Sequence, residues 1–324
     1  MKLPEIKAPR IKVPKLPFPY SAPTTPLGVE PVERKRHSGP GYDTDWARRL
    51  PARVGRSLLR ETVVRAGVAA LAAPEVHGLD RLAALQADGN GNGAGGKDGD
   101  GGDRPVIFVA NHHSHLDTPI LQTCIPDPWR ERVFVAAAAD YFFRNAVTSA
   151  LSALVIGAIP LERTRINRTS ADRAAGLIAD GWSMLIFPEG GRSPDGWGQP
   201  FRGGAAYLAA RCGVPVVPVH VHGTRHILSK GKRLPSPAAT KVTFGVPLHP
   251  GPGDDARKLG PRIEQAVAEL ADEATSDWWS ARRRAHAGTT PALTGPDATG
   301  WRRAWALGDP SRRTRREQRR WPQL

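Results

Sequence analysis

The chain has few of the features that secreted and membrane-spanning proteins use. It has two cysteines, Cys124 and Cys212, too few for a disulfide-rich secreted scaffold or a cysteine-rich zinc module. No stretch of about 20 residues is free of charge, so a bilayer-spanning helix is not expected. The first residues, Met1–Glu5, lack the apolar run of a secretion signal. We therefore expect a cytoplasmic protein.

Aromatic residues are also scarce, at 6% of the 324 residues, whereas hydrophobic residues make up 40% and charged residues 24%. This balance is that of a globular protein, and the length is enough for one large core or two smaller ones. The chain contains 34 Gly and 31 Pro, so a good part of it is expected in loops and tails.

The net charge of +15 is concentrated at the two ends of the chain. Residues 1–60 contain 13 Lys and Arg against 5 Asp and Glu, and residues 278–324 contain 11 against 3. Residues 61–277 contain 22 against 23 and are nearly neutral. Strongly basic ends attract polyanions, which here means nucleic acid or an anionic membrane surface.

Composition and periodicity divide the chain into five regions. We expect a Lys/Pro-rich disordered tail (1–45), an amphipathic helical region (46–86), a Gly/Asp-rich linker (87–103), a folded domain (104–275) and a basic, Trp-containing tail (276–324). In the folded domain, short β-rich runs alternate with helical segments. This alternation predicts a single α/β domain, a twisted mixed sheet flanked by helices, with disordered or surface-lying basic termini.

The predicted elements of this domain have definite bounds. Strands are expected at Val106–Ala110, Arg132–Ala137, Ala158–Leu161, Met184–Phe187, Val214–Val221 and Lys241–Gly245, and helices at Ser170–Asp180, Gly204–Arg211 and Asp254–Glu273; a further helical pattern runs over Asp45–Ala73. The strand from Val214 contains Pro215 and Pro218. Because central strands reject proline, we expect this strand at a sheet edge or beside a site.

The densest polar cluster, Asn111 to Asp117, directly follows the strand Val106–Ala110. Open α/β sheets place their sites at such carboxyl ends of strands. One interpretation pairs His112 as a base with Asp117. This requires His112 on the loop and Asp117 at the start of a helix, which Pro119 permits. The aspartate would then fix the imidazole tautomer and leave the other ring nitrogen free to take a proton from a hydroxyl.

The same cluster also allows a metal site. His113, His115 and Asp117 follow most of the His-x-His-x-Asp-His signature of metal-dependent hydrolases, although Thr118 stands where the second histidine belongs. The distant ligands would come from His220, His222 and His226. We keep a metal-dependent hydrolase as the alternative.

Two further segments carry groups that suit a phosphate. Arg163 follows the short strand Ala158–Leu161, and Phe187–Ser193 combines a glycine turn with Glu189 and Arg192. Two guanidinium groups and a glycine-rich turn with free N–H groups are what a phosphate monoester requires.

Four blocks in order now resemble the glycerophospholipid acyltransferase family. They are Asn-His-x4-Asp at Asn111, His112 and Asp117, the Gly157–Arg163 stretch, Phe-Pro-Glu-Gly-x-Arg-Ser at Phe187–Ser193, and the Val-Pro-Val-x-Pro run at Val214–Val219. The segment Phe201–Gly204 also resembles a family segment that follows the third block. One departure is Gly191, where the family usually has Thr, and it bears on the acceptor more than on the reaction.

The resemblance implies transfer of a fatty acyl group from acyl-CoA or acyl carrier protein to the hydroxyl of a lysophosphatidate-type glycerophosphate, giving phosphatidate. It makes His112 the general base and Asp117 the residue that orients it, with no metal or cofactor required. Residues implied in acceptor binding are Asn111, Arg163, Glu189, Gly190, Gly191, Arg192 and Ser193. Of these, Glu189 is expected to contact a glycerol hydroxyl or Arg192.

The basic ends fit a protein that works on membrane lipids. Trp278 and Trp279 precede a run of arginines, a composition typical of segments that lie on a membrane surface. We expect peripheral or monotopic attachment to the cytoplasmic face of the cell membrane. A basic-tailed nucleic-acid-binding protein is the alternative, but no recognition fold accompanies the tails, so no specific nucleic-acid partner is expected.

Overall fold

The structure is a computed structural model of the chain that describes residues 38–39, 41–85, 104–161, 168–232, 234–297, 303 and 307. All of them belong to one compact unit, residues 36–324. Almost all of the expected tail 1–45, all of the expected linker 87–103 and most of 298–324 lie outside the described residues.

Seven strands form one mixed sheet. They are β1 (Glu75–His77), β2 (Ile107–Ala110), β3 (Val133–Ala138), β4 (Ala158–Leu161), β5 (Ser183–Ile186), β6 (Val216–His222) and β7 (Lys241–Phe244). The spatial order is β1-β7-β6-β2-β5-β3-β4, and only the β6–β7 pair is antiparallel within this described sheet. The expected mixed α/β sheet is confirmed.

Helices cover the sheet on both faces. They are α1 (Leu50–Leu59), α2 (Arg65–Leu71), α3 (Asp117–Cys124), α4 (Ala139–Phe142), α5 (Ala146–Ile156), α6 (Arg168–Ala179), α7 (Gly204–Cys212), α8 (Thr224–Leu228), α9 (Ala256–Thr275) and α10 (Trp278–His286). A π-helical turn, Arg60–Val64, joins α1 to α2, and 3-10 turns lie at Asp45–Arg48, Leu79–Leu82 and Trp129–Arg132. Among the described helices, none is both long and apolar enough to cross a bilayer.

The hydrophobic core lies in two layers, one on each face of the sheet. Phe108 of β2 points into one layer and its neighbour Ile107 into the other, because successive strand residues face opposite sides. The first layer also contains Val68, Leu82 and Leu85. The fold therefore extends N-terminally of residue 104, since the helical region and β1 share the core of the expected domain.

The proline-containing strand lies in the middle of the sheet. β6 pairs with β2 on one side and β7 on the other, so the expectation of an edge position is wrong. Val216 pairs with Leu248 and Val219 with Phe244, so the partner segment has one residue more than β6 between these pairs. This β-bulge accommodates Pro218, whose carbonyl accepts a hydrogen bond of 2.8 Å from the N–H of Gly245.

Candidate active site

The loop between β2 and α3 brings His112 and Asp117 together. Asp117 is the first residue of α3, where its carboxylate suits the positive end of the helix dipole, and Pro119 fits in the first turn because no helical hydrogen bond needs its nitrogen. His112 lies on the loop, with its Nδ1 2.9 Å from Oδ2 of Asp117. The two residues therefore adopt the geometry that the first interpretation of the cluster requires.

Asp117 is held by three hydrogen bonds on the same oxygen. Besides His112, the backbone N–H groups of His113 and Ser114 donate to its Oδ2 at 2.7 and 2.8 Å. Burial by itself would raise the pKa of this fully buried carboxyl, but the hydrogen bond with His112, the neighbouring imidazoles and the Ser114 N–H bring its pKa below the usual value. An ionised carboxylate only accepts, so Nδ1 of His112 carries a proton, and in the neutral form of the imidazole Nε2 is the acceptor.

The Phe187–Ser193 segment holds His112 from several sides. The imidazole stacks on the ring of Phe187, with the centroids 4.3 Å apart. The backbone N–H of His112 donates to Oε1 of Glu189 at 2.8 Å, and its carbonyl accepts from the N–H of Ser193 at 2.8 Å. The third sequence block thus fixes both the ring and the backbone of His112.

Glu189 uses both carboxyl oxygens to join two loops. Its Oε2 accepts from the backbone N–H of Gln199 at 3.0 Å, while Oε1 accepts from His112. Its partners are therefore backbone amides, where the sequence analysis expected a glycerol hydroxyl or Arg192. Only 3% of Glu189 is exposed, and this burial raises its pKa to about 7, although the two backbone hydrogen bonds partly oppose the shift.

Asn111 and Ser193 also bond to the backbone, although the resemblance placed both in acceptor binding. The side chain of Asn111 accepts from the N–H of Val221 at 2.7 Å and donates to its carbonyl at 2.9 Å. The hydroxyl oxygen of Ser193 accepts from the N–H of Gly196 at 2.7 Å. Both side chains are buried and shape the loops around His112.

An apolar cavity of about 150 Å³, the first cavity, opens beside His112. Its walls come mainly from β3, α6 and β5, and small side chains predominate in them. The apolar residues from these elements are Val135, Ala136, Ala137, Ala138, Ala171, Ala174, Met184 and Ile186. Gly190 and Gly191 lie in the wall as well, so these two predicted residues do border the cavity.

Arg202 also lines this cavity, and sequence reasoning gave it no role. Among the described lining residues it is the one with a permanent charge. Gly190 has φ of +71°, and a Cβ there would lie 2.8 Å from Cζ of Arg202, so glycine leaves the space that the guanidinium occupies. The signal in the sequence was the resemblance of Phe201–Gly204 to a family segment. Arg192 does not line this cavity, and Arg163 lies outside the described residues.

Known acyltransferases are similar to this chain. The sequence model of the family described as Acyltransferase matches residues 73–222, which contain the His112–Asp117 pair and Glu189. Residues 73–222 are therefore similar to the acyltransferase family. The match begins just before β1 and ends with β6, so α9 and α10 lie beyond the matched residues.

Individual proteins that are similar to this chain are named as acyltransferases. The chain is 35% identical over 170 residues to the chloroplastic 1-acyl-sn-glycerol-3-phosphate acyltransferase BAT2 of Brassica napus, covering 52% of this chain and 46% of that protein. It is 26% identical over 180 residues to 1-acyl-sn-glycerol-3-phosphate acyltransferase alpha of Mus musculus, covering 54% of this chain and 61% of that protein. The alignments thus span about half of the plant relative's length.

A solved structure has the same fold. It is the 1-acyl-sn-glycerophosphate (LPA) acyltransferase PlsC of Thermotoga maritima, with a TM-score of 0.52 and 24% identity, covering 73% of this chain and 84% of that chain. At this identity the likeness concerns the fold alone.

The described residues do not assemble the alternative metal site. His115 stacks on Tyr141, with centroids 4.9 Å apart, and lines the first cavity, whereas His113 lines a second cavity. Within the part of the chain that the structure describes, no group of three or more His, Cys, Asp or Glu side chains is arranged to hold a metal ion. His113 shares this separate cavity with His220, His222 and His226, but His115 and Asp117 do not line that cavity, so the residues of the alternative metal site do not all converge.

The two cysteines are not placed for nucleophilic chemistry. Cys124 packs in the core, and burial raises the pKa of its thiol to about 11. Burial also raises the pKa of Cys212. Because the thiolate is the nucleophilic form, neither side chain is activated.

Proposed function

We propose that this protein is an O-acyltransferase that moves a fatty acyl group from a thioester, acyl-CoA or acyl carrier protein, to the hydroxyl of a lysophosphatidate-type glycerophosphate, giving phosphatidate. The observation that carries the proposal is the 2.9 Å pair of His112 Nδ1 and Asp117 Oδ2 at the mouth of an apolar cavity. The names of the plant and mouse relatives support this choice of acceptor.

In the proposed reaction, Nε2 of His112 is the general base. Asp117 holds the Nδ1–H, so Nε2 faces the acceptor hydroxyl as an unprotonated nitrogen. Nε2 takes the hydroxyl proton while the hydroxyl oxygen attacks the thioester carbonyl carbon. The tetrahedral intermediate then breaks its C–S bond, and the departing thiolate receives the proton from the imidazolium. His112 returns to its starting state, and no acyl group is attached to the protein.

The walls of the first cavity suit the reacting ends of the two substrates. The acyl chain packs against the apolar residues of β3, α6 and β5, where burial of each CH2 contributes about 0.8 kcal/mol. The acceptor phosphate approaches Arg202 over Gly190 and Gly191, which leave the backbone uncovered. Arg163 and Arg192 remain proposed phosphate contacts on the grounds of the family resemblance.

Release of free CoA tests the proposal. Purified protein is given oleoyl-CoA and 1-acyl-lysophosphatidate in mixed micelles, and we expect CoA release that requires the acceptor. His112→Ala should lower the rate by about 10²- to 10⁴-fold, the range of general-base contributions. His77→Ala is the matched control, because His77 is an exposed histidine on β1, away from the site.

Circular dichroism shows whether His112→Ala keeps its fold. CoA release without acceptor would indicate a thioesterase instead. A folded His112→Ala protein with the wild-type rate would refute the role of the pair. Replacing oleoyl-CoA by oleoyl acyl carrier protein in the same assay identifies the donor.

We also propose that the protein attaches peripherally to the cytoplasmic face of the cell membrane. Leu50, Val54 and Leu58 are exposed at a spacing of four along α1, and exposed Val147 and Leu151 repeat that spacing on α5, which contacts α1. Such rows suit the interface between lipid headgroups and acyl chains, and the basic ends add attraction to anionic lipids.

A further inference from the structure

A second cavity, of about 890 Å³, lies on the other side of the His112 loop. Its lining includes His113 from the loop, His220 and His222 from the end of β6, and Arg225 and His226 from α8. α9 and residues 291–293 supply further walls. No residue lines both cavities in the described part of the chain.

The second cavity is not part of the site shared with the family. Most of its lining residues follow position 222, where the match to the acyltransferase domain ends. Any ligand of this cavity is therefore bound in large part by residues outside the matched domain.

The charges around the second cavity favour an anion. Its two carboxylates already have arginine partners: Asp195 accepts from Nε of Arg303 at 2.8 Å, and Asp272 accepts from Arg284 at 2.6 and 2.7 Å. Arg225 and Lys232 add positive charge to the lining, and four histidines add ring nitrogens. Phosphate groups are bound in proteins by this combination of cations and N–H donors.

Two buried nitrogen atoms in this lining have no hydrogen-bond partner among the described residues. One is Nδ1 of His220, a residue that is only 5% exposed, and the other is Nη1 of Arg225. Arg225 occupies the space over Gly196, where a Cβ would lie 1.4 Å from its Nη1. Buried polar atoms are nearly always paired in folded proteins, and a guanidinium nitrogen can only donate, so Nη1 of Arg225 indicates a ligand that accepts a hydrogen bond. Nδ1 of His220 can donate to the same ligand in the tautomer that carries its proton there.

We propose that the second cavity binds an organic phosphate, with its phosphate group held by Arg225 and His220 and approached by Lys232. The volume falls in the range of about 300–1,000 Å³ that is usual for small-molecule sites, which is far more than a bare phosphate ion fills. Burial, with His222, His113 and Lys241 nearby, lowers the pKa of His220 well below its usual value. Its imidazole is therefore neutral at pH 7, and Arg225 and Lys232 supply the positive charge.

Isothermal titration calorimetry on the full chain tests this site directly. The probes are adenosine 3′,5′-bisphosphate, which is the phosphate-bearing end of CoA, glycerol 3-phosphate, inorganic phosphate and sulfate, all at one ionic strength. We expect saturable binding of one organic phosphate per chain, tighter than that of phosphate or sulfate. Tighter binding of the nucleotide would indicate that the cavity binds the nucleotide end of CoA, and tighter binding of glycerol 3-phosphate would indicate that it binds a glycerophosphate. Either result supports the proposal.

Variants locate the binding. Arg225→Gln should weaken it by about 10- to 100-fold, the usual value of a hydrogen bond to a charged group. Arg211→Gln is the matched control, because Arg211 is an exposed arginine on α7 outside the lining. Ala271→Phe, from a half-buried position of α9, fills the cavity without changing its charge and should also abolish binding.

The proposal is overturned if the folded protein binds none of the probes or binds sulfate as well as the organic phosphates. It is equally overturned if binding survives both Arg225→Gln and Ala271→Phe. Binding is measured without acyl transfer, so failure of this site and failure of the proposed activity are separate results.

Discussion

Among single residues, Glu189 shows how a motif residue can act without touching substrate. Its two oxygens accept from the backbone N–H groups of His112 and Gln199, so it fixes the loop that carries the proposed base. The buried carboxyl of Glu189 thereby joins the Phe187–Ser193 segment to the loop that contains His112. Glu189 is a positioning residue in this arrangement.

The raised pKa of Glu189 predicts a pH dependence of stability. Between its ordinary pKa of 4.5 and about 7, the folded protein retains a proton that the unfolded chain releases. The free energy of unfolding therefore falls as pH rises through this window and levels off above about 7. Because burial lowers the pKa values of His113, His220 and His222 and these groups give the opposite slope, the decline is measured as the difference between wild type and Glu189→Gln in urea denaturation at pH 5, 6, 7 and 8.

Glu189→Gln should remove the contribution of Glu189 to the pH dependence of the free energy of unfolding, and it should lower that free energy overall. The Gln side chain has only one accepting oxygen, so one of the two backbone N–H groups loses its partner, at a cost of about 1–3 kcal/mol. Glu75→Gln, at an exposed glutamate of β1, serves as the control and should keep the wild-type slope. A Glu189→Gln protein with the same slope as wild type would contradict the assignment.

Among the elements, β6 shows how a central strand tolerates proline. The bulge opposite Pro218 leaves its ring beside Gly245, and a Cβ on Gly245 would lie 2.7 Å from Cγ of Pro218 and 3.1 Å from Cδ1 of Leu270. Glycine at this position therefore makes room for both side chains. The pairing of β6 with β7 therefore depends on glycine at position 245.

Gly245→Ala should lower the free energy of unfolding by about 1–3 kcal/mol, the usual cost of overpacking a core. The control is Gly176→Ala in α6, where a Cβ meets no atom within 4 Å. There, alanine should stabilise by about 0.5–1 kcal/mol because it favours the helix. Equal stability of the two variants in urea denaturation would show that the close contact at Gly245 has no energetic effect.

For the whole molecule, the distribution of charge and exposed apolar side chains predicts where the protein goes. The near-neutral middle of the chain is flanked by two ends of strongly positive charge, and α1 and α5 expose apolar rows. Both features fit attachment to an anionic lipid surface.

Vesicle flotation tests this attachment. We expect the protein to float with anionic vesicles at about 0.1 M salt and much less at about 1 M, where the Debye length shrinks from about 10 to about 3 Å. Leu58→Glu should reduce flotation, whereas Leu234→Glu, an equally apolar and exposed position elsewhere, should not. Equal binding to neutral vesicles, or a preference for short duplex DNA over anionic vesicles, would contradict the proposal.

Much of the fold and part of the site could be predicted from local patterns. The strand expected at Val106–Ala110 is β2, and the helix expected over Asp254–Glu273 is α9. Both could be predicted because a strand buried on both faces is continuously apolar, whereas a helix buried on one face has apolar residues at its own period. The strand β1 was missed, since three residues are too few to show a period. The spacing and Pro119 permitted the pairing of His112 with Asp117, and the resemblance to the acyltransferase family favoured it over a metal site.

The remaining features of the fold and of the site could not be predicted from the order of the motifs or from the spacing of polar residues. The sequence by itself determined the α/β class, the charge of the ends and the likeness to an acyltransferase family, because these depend on composition, periodicity and motif order. The tertiary structure decided that Pro218 lies in a central strand, that Asn111 and Glu189 bond to backbone amides, and that His113 and His115 face different cavities. The physical reason is that a polar side chain takes its role from whatever distant segment packs against it, and that packing is a property of the whole folded chain.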